Sequence, residues 1–154
     1  MPNMLDADHE EVRQVVEELF ESQKLAVLAT HEHGQPYCSL VAFAATDDFE
    51  YMLFVTPRLS RKYENMMRDE RVSMLVDSRS DEDADFQRAV AVTVTGRAEE
   101  ISKTDENRLL KLYLERHPHL QEFVLSPDSA LMKVTVESCV LVRRFKEVTE
   151  IRQN

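Results

Sequence analysis

Arg58, Arg61 and Lys62 place three cations within a stretch of five residues, the last two directly after Ser60. Tyr63, Met66 and Met67 recur at helical spacing across residues 60–69, which puts Ser60 where a helix cap belongs. A helix N-terminus carries partial positive charge and favours Asp or Glu in its first turn, yet this one opens with two cations. A helix end, a hydroxyl and two or three cations together suit a small dianion such as a phosphate monoester. The same residues have a second reading, in which Arg61 and Lys62 pair with Glu64, Asp69 or a more distant acid, as surface cations commonly do.

Composition limits what that dianion could belong to. The chain has 154 residues, 19 Lys plus Arg against 29 Asp plus Glu, and a net charge of −10, so a partner held by phosphate neutralisation, nucleic acid above all, is not expected. Gly34 and Gly96 are the only two glycines and lie far apart. No glycine-rich dinucleotide turn, Walker loop or nucleophile elbow can be written, and any phosphate must be gripped by side chains and an ordinary helix end. Cys38 and Cys139 form neither a CxxC nor a disulfide framework. Residues 1–11 are acidic rather than signal-like, and no apolar run reaches membrane-spanning length, so the expectation is a cytoplasmic protein that meets no membrane.

Other chemistry-bearing residues have simpler readings. His31 and His33 would share one face of a strand, but no third ligand is set by spacing. A solvated hairpin tip accounts for them, and no metal is expected. Cys38 could serve as a redox group, though in an apolar strand it reads as buried packing. His117-Pro118-His119 reads as a helix terminus, where a cationic imidazole suits the dipole. Met66, Met67 and Met74 read as core or interface filler.

The elements that must position these residues are legible in outline. Val12, Val15, Val16, Leu19 and Phe20 form a one-sided stripe that predicts a helix over about 6–23, with Asp6 or Asp8 as cap. Strands are predicted over 25–30, 37–46, 51–56, 71–77 and 89–101, with residues 31–34 as a hairpin tip and 78–85 as a solvated loop. Gly96 inside the fifth strand implies a bulge or a close backbone approach. Thr104, Asp105 and Glu106 begin a helix that runs to Arg116 and stops at Pro118, and strands over 132–136 and 140–145 follow. Strands joined by short turns, with few helices between them, predict an α+β domain around an antiparallel sheet or barrel of six to seven strands with flanking helices, as one domain over 1–154. Both faces of the strand from Tyr37 to Ala44 are nearly uncharged, so one should fill the barrel and the other should meet a helix or a second subunit.

The segments Gly34-Gln35-Pro36-Tyr37-Cys38-Ser39-Leu40-Val41, Leu53-Phe54-Val55-Thr56, Ser60-Arg61-Lys62 with Asn65, and Arg71-Val72-Ser73-Met74-Leu75-Val76 resemble the FMN-binding split β-barrel group related to pyridoxamine 5′-phosphate oxidase. The resemblance runs over about residues 25–101. It implies that Ser60, Arg61 and Lys62 hold the FMN phosphate with Thr56 beside it. Ser39, Leu40 and Val41 would offer backbone and side-chain contacts to the flavin ring. It further implies a homodimer with the cofactor between subunits and a flavin-dependent oxidoreductase that uses a small-molecule electron donor or acceptor. No catalytic acid or base is identified. The last third departs from the oxidase itself: Arg143-Arg144-Phe145 lacks the Arg-x-His pair, and Ala91 stands near the place of an expected Gln, so oxidation of pyridoxamine phosphate is not expected. Residues 113–118 and 131–145 are more similar to the haem-utilisation branch, which makes non-catalytic carriage of flavin or haem the alternative.

Overall fold

The computed structural model describes residues 4–84, 88–104, 106–144 and 147–153. The first helix, α1, spans Met4–Ser22, so Asp6 and Asp8 lie inside it rather than ahead of it as a cap. Strands β1 (Leu25–Glu32) and β2 (Gln35–Ala45) form a hairpin whose tip is His33-Gly34, both at positive φ (50° and 83°), the two-residue turn that suits strand twist. Strand β3 (Tyr51–Pro57), helix α2 (Arg61–Arg68) and β4 (Arg71–Asp77) come next, then β5 (Val90–Ile101).

The C-terminal third is where the structure departs from the sequence reading. Helix α3 (Arg108–Arg116) starts later than Thr104 because Asn107 is its cap: Leu109 N–H donates to Asn107 Oδ1 at 2.9 Å, while Asn107 Nδ2 donates to Ser102 O at 2.7 Å. Asp105 lies outside the described residues. Pro118 does end α3, but a 3-10 turn (Pro118–Leu120) and a short helix α4 (Gln121–Leu125) follow. The two expected last strands are one, β6 (Ser129–Arg143). The register passes from Thr95↔Ser138 to Gly96↔Val136, so Glu137 is the extra residue of a bulge and the strand bends without breaking. Phe145 lies outside the described residues, and a further strand, β7 (Glu147–Arg152), which the sequence reading did not foresee, closes the described fold.

Strand order is β3-β2-β1-β4-β5-β6-β7, antiparallel wherever neighbours pair, and β3 also pairs with β6. Six strands thus close into a barrel, and β7 hangs on the outer half of β6: the antiparallel barrel the strand pattern predicted, in the split β-barrel form the family resemblance implied. The interior holds Leu28, Phe43, Phe54, Met74, Val94 and Met132, and α1 caps it with Val12, Val16, Leu19 and Phe20. A second cluster joins Leu110, Tyr113 and Val124 to Leu53, Val55 and Leu131, so α3 and α4 cover the outer face of β3 and the first half of β6. Arg116 ties α3 to α1 by donating through Nη2 to the carbonyls of Phe20 (3.0 Å) and Glu21, in the last turn of α1, and of Gln23 (2.8 Å), just past its end.

Among the described residues no helix lies over the outer face of the remaining strands. Register places Leu40, Val27, Leu75, Thr93 and Val140 in one row across five strands, and Ala91, Val142 and Val148 in the next. Leu40, Leu25 and Val148 are 67%, 56% and 65% exposed.

Candidate functional site

The pairing of β2 is lopsided. Residues 35–42 all pair with β1, but only Phe43, Ala44 and Ala45 pair with β3. Over the first two thirds of β2 the barrel is therefore open on its β3 side. Phe43 N–H donates to Lys24 O at 3.1 Å on the β1 side, so the alternation of an antiparallel ladder turns the backbone groups of Tyr37, Ser39 and Val41 toward β1. Those of Cys38 and Leu40 face the gap.

Across that gap lies the turn from β3 to α2. Ser60 is the cap of α2 (φ −139°, ψ 152°): Tyr63 N–H donates to its Oγ at 3.2 Å, and the hydroxyl donates to Pro57 O at 2.8 Å. Thr56, fully buried, lies 3.0 Å from Ser60 Oγ and 3.2 Å from Pro57 O. Both hydroxyls are engaged in building the turn. Arg58 is committed elsewhere. It meets Glu100 at 2.6 Å, and Tyr63 Oη donates to the same carboxylate at 2.7 Å; these bonds, Arg58 first, hold Glu100 below the ordinary carboxylate range.

Arg61 and Lys62 are left over. Arg61 stacks its guanidinium 5.0 Å from the centre of the Tyr37 ring, and among the described residues neither cation makes an ion pair. Asp69, one of the acids expected to neutralise them, is held instead by Arg71 (2.7 Å) and His31 (2.9 Å), and the Arg71 bonds pull its pKa well below normal. Two cations with no ion pair among the described residues, at a helix N-terminus in a chain of net charge −10, leave a positive spot there, with Arg61 against Tyr37 of β2.

The other expected contacts divide between the faces of β2. Leu40 points outward while its backbone addresses the gap; Val41 is buried in the barrel with its backbone bonded to β1. Ser39 points to the inner side, where its Oγ is buried with no hydrogen-bond partner among the described residues. An orphaned buried hydroxyl is costly and is satisfied when a ligand supplies the partner. Nearby, Asn65 Nδ2 donates to Thr30 Oγ1 at 3.0 Å, a buried polar pair that anchors α2 on β1 and that no spacing rule picked out. The donors and acceptors around the gap thus fit a ligand with an anionic end and a polar ring edge.

Several other residues stand differently from expectation. Cys38 is exposed on the outer face rather than buried; Cys139 is buried, and burial pushes its thiol up to about 11. His33 sits in the hairpin turn, so it does not share a strand face with His31. His31 accepts from Gly34 N–H at Nδ1 (3.2 Å) and turns Nε2 to Asp69. His117 is buried, with Nε2 at 2.7 Å from Phe43 O, and desolvation lowers its pKa, so the imidazole is not the cationic helix end expected for it. Met67 is half-exposed, whereas Met66 and Met74 are core. Among the described residues no group of three or more His, Cys, Asp or Glu is placed to hold a metal, and no helix is long and apolar enough to cross a membrane.

Comparison with known proteins fits this architecture. Residues 12–143 match the pyridoxamine 5′-phosphate oxidase family. Curated proteins provide no match. Among solved structures, a haem-binding protein from Mycobacterium smegmatis superposes with TM-score 0.74 at 19% identity, over 88% of this chain and 57% of that one. HutZ, the haem storage protein of Vibrio cholerae, gives 0.69 at 18% identity, over 84% and 92%. An FAD-binding protein from Mesorhizobium loti gives 0.65 at 20%, over 86% and 90%. The chain spans little more than half the length of the Mycobacterium protein. At these identities the likeness is one of fold.

Proposed function

The chain belongs to the pyridoxamine 5′-phosphate oxidase family, and from that premise we propose that it binds FMN in the gap between β2 and the β3–α2 turn. The observation that carries this reading is the pair Arg61 and Lys62, cations at the start of α2 that make no ion pair among the described residues. They would take the phosphate, while Ser60 and Thr56 keep the turn that aims the helix end at it. Leu40 and Cys38 would present backbone groups to the edge of the ring, Ser39 Oγ would find its partner there, and Val41 would support the strand from below. Bound FMN supplies hydride or electron transfer; the protein holds it, orients it and sets its polar surroundings. The reaction class is oxidoreduction with a small-molecule donor or acceptor. Unpaired Cys38 and Cys139 suit a reducing cytoplasm.

The uncovered sheet face completes the reading. Its rows of Leu, Val, Ala and Thr adjoin the exposed edge of β2, and a second copy of the chain laid on it would bury apolar surface and wall the cofactor gap. We therefore take the working form to be a homodimer.

Carriage of flavin or haem without turnover is the second reading. It is favoured by the groups assigned to the gap among the described residues, Arg61, Lys62, Ser39 and Tyr37, none of which is a carboxylate or an imidazole. Reconstitution with FMN, then assay with NADH or NADPH and a range of acceptors, separates the two. Turnover supports the oxidoreductase; stoichiometric binding without turnover supports the carrier.

A further inference from the structure

Pairing between β2 and β3 ends at Phe43↔Phe54, and the register names the rung that should follow, Ala42 opposite Val55. Phe43 N–H donates toward β1, to Lys24 O, and Thr46 N–H donates to Tyr51 O of β3 at 3.0 Å. By alternation Ala42 and Ala44 address β3, while Leu53 and Val55 address β2. A ladder continued by one rung would join Val55 N–H to Ala42 O. The hydroxyl of Tyr113 stands in that position. It donates to Ala42 O at 2.9 Å, and its own oxygen faces Val55 N–H.

Tyr113 reaches this place from α3, is 1% exposed, and packs among Leu53, Val55, Leu110 and Leu131. A phenylalanine would fill that apolar space as well, and a buried hydroxyl needs partners to offset its desolvation. The hydroxyl's partners are the two strands at their point of divergence. One helical turn further on, His117 Nε2 meets Phe43 O at 2.7 Å, so α3 grips two successive carbonyls of β2, one on each edge of the strand.

We propose that Tyr113 is the wedge that opens the barrel: its hydroxyl occupies the rung between Ala42 and Val55, holds β2 and β3 apart, and leaves the Cys38 and Leu40 backbone groups as a free edge for the ring of the cofactor. The role at the fork stands on the Tyr113–Ala42 bond and the strand register, and the role toward the ring rests on the FMN reading. Tyr113 is thus a positioning residue that touches no ligand.

The test is Tyr113→Phe, which keeps the ring and removes only the inserted hydroxyl. Residue-resolved amide exchange should show Val55 opening at least about tenfold faster than in the wild type, with Phe54 and Leu53 unchanged; an unaltered Val55 rate overturns the wedge. FMN and riboflavin affinities should both fall by about tenfold and in the same ratio, because the phosphate contacts are untouched. Faster exchange with unchanged flavin affinity would overturn the link between fork and ring. If the wild type binds neither flavin, the FMN reading fails while the exchange result still decides the wedge. Should the variant not fold, the wild type answers: a slowly exchanging Tyr113 hydroxyl proton with a cross-relaxation peak to the Val55 amide is expected, and its absence in a spectrum that resolves other buried hydroxyls refutes the insertion.

Discussion

Replacing Arg61 and Lys62 together with Ala should abolish useful FMN binding while sparing the fold. Arg58, the third cation of the segment, cannot substitute, because its guanidinium is bound to Glu100 at 2.6 Å. No glycine-rich loop is available to cradle the phosphate either, since Gly34 and Gly96 lie in a hairpin tip and a mid-strand position. Two charge-assisted bonds at about 1.5–3 kcal/mol each would be lost. Affinity should therefore fall by about 3–6 kcal/mol, hundreds-fold to tens of thousands-fold. The apo protein should barely notice. Losing the Arg61–Tyr37 stacking costs about 0.5–1 kcal/mol at an exposed site, and relieving two cations from a helix N-terminus returns about 0.3–1 kcal/mol each. Titration calorimetry with FMN and riboflavin, beside thermal melts of the apo forms, reads both quantities. Riboflavin lacks the phosphate and should bind wild type and variant alike. An unchanged FMN affinity in a folded variant would place the phosphate elsewhere and refute the reasoning.

Leu40→Glu combined with Val142→Glu would put charges on two rows of the uncovered sheet face and should convert a dimer to monomer by sedimentation velocity; a wild type that already sediments as a monomer with cofactor bound removes the dimer. A Cβ on Gly96 would collide with the Thr135 carbonyl and stand 2.9 Å from Val134 Cγ1, so Gly96→Ala should cost about 1–3 kcal/mol in denaturant unfolding, and a neutral substitution would deny the close approach. The buried His117 takes its proton less readily folded than unfolded, so stability should fall as pH drops below the unfolded value near 6.5 and level off below the folded value. Comparing melts at pH 7.5 and 5.5, His117→Gln should flatten that slope relative to wild type, and an unchanged slope would assign it to other groups.

What the sequence made legible follows from how local each signal is. Strand β4 is bounded as the pattern predicts, because Val72, Met74 and Val76 alternate with Arg71, Ser73, Leu75 and Asp77, with charged residues at both ends; Ser60 as cap is equally local. Gly96 shows both predicted features, a register shift beside it and a backbone pressed against it. Glu137-Ser138 reads as a break in the run of apolar residues and is a bulge, a distinction that depends on the partner strand and not on the run itself. Strand β7 was missed because half its residues are charged and most are exposed, as suits an edge strand. His117 misled for a related reason: a helix-terminal histidine looks cationic until packing shows that its ring is buried against Phe43 O. The gap between β2 and β3, and the Tyr113 hydroxyl at its fork, join residues 71 apart and had no local signal at all.

The central claim is that FMN occupies the gap through its phosphate. The most direct measurement is an equilibrium titration of the apo chain with FMN, followed by flavin absorbance and fluorescence, with riboflavin and haem run in parallel. The account predicts saturation at one FMN per chain, with affinity for riboflavin lower by hundreds-fold or more. Equal affinity for FMN and riboflavin, or uptake of haem with a Soret band and no uptake of FMN, would contradict it.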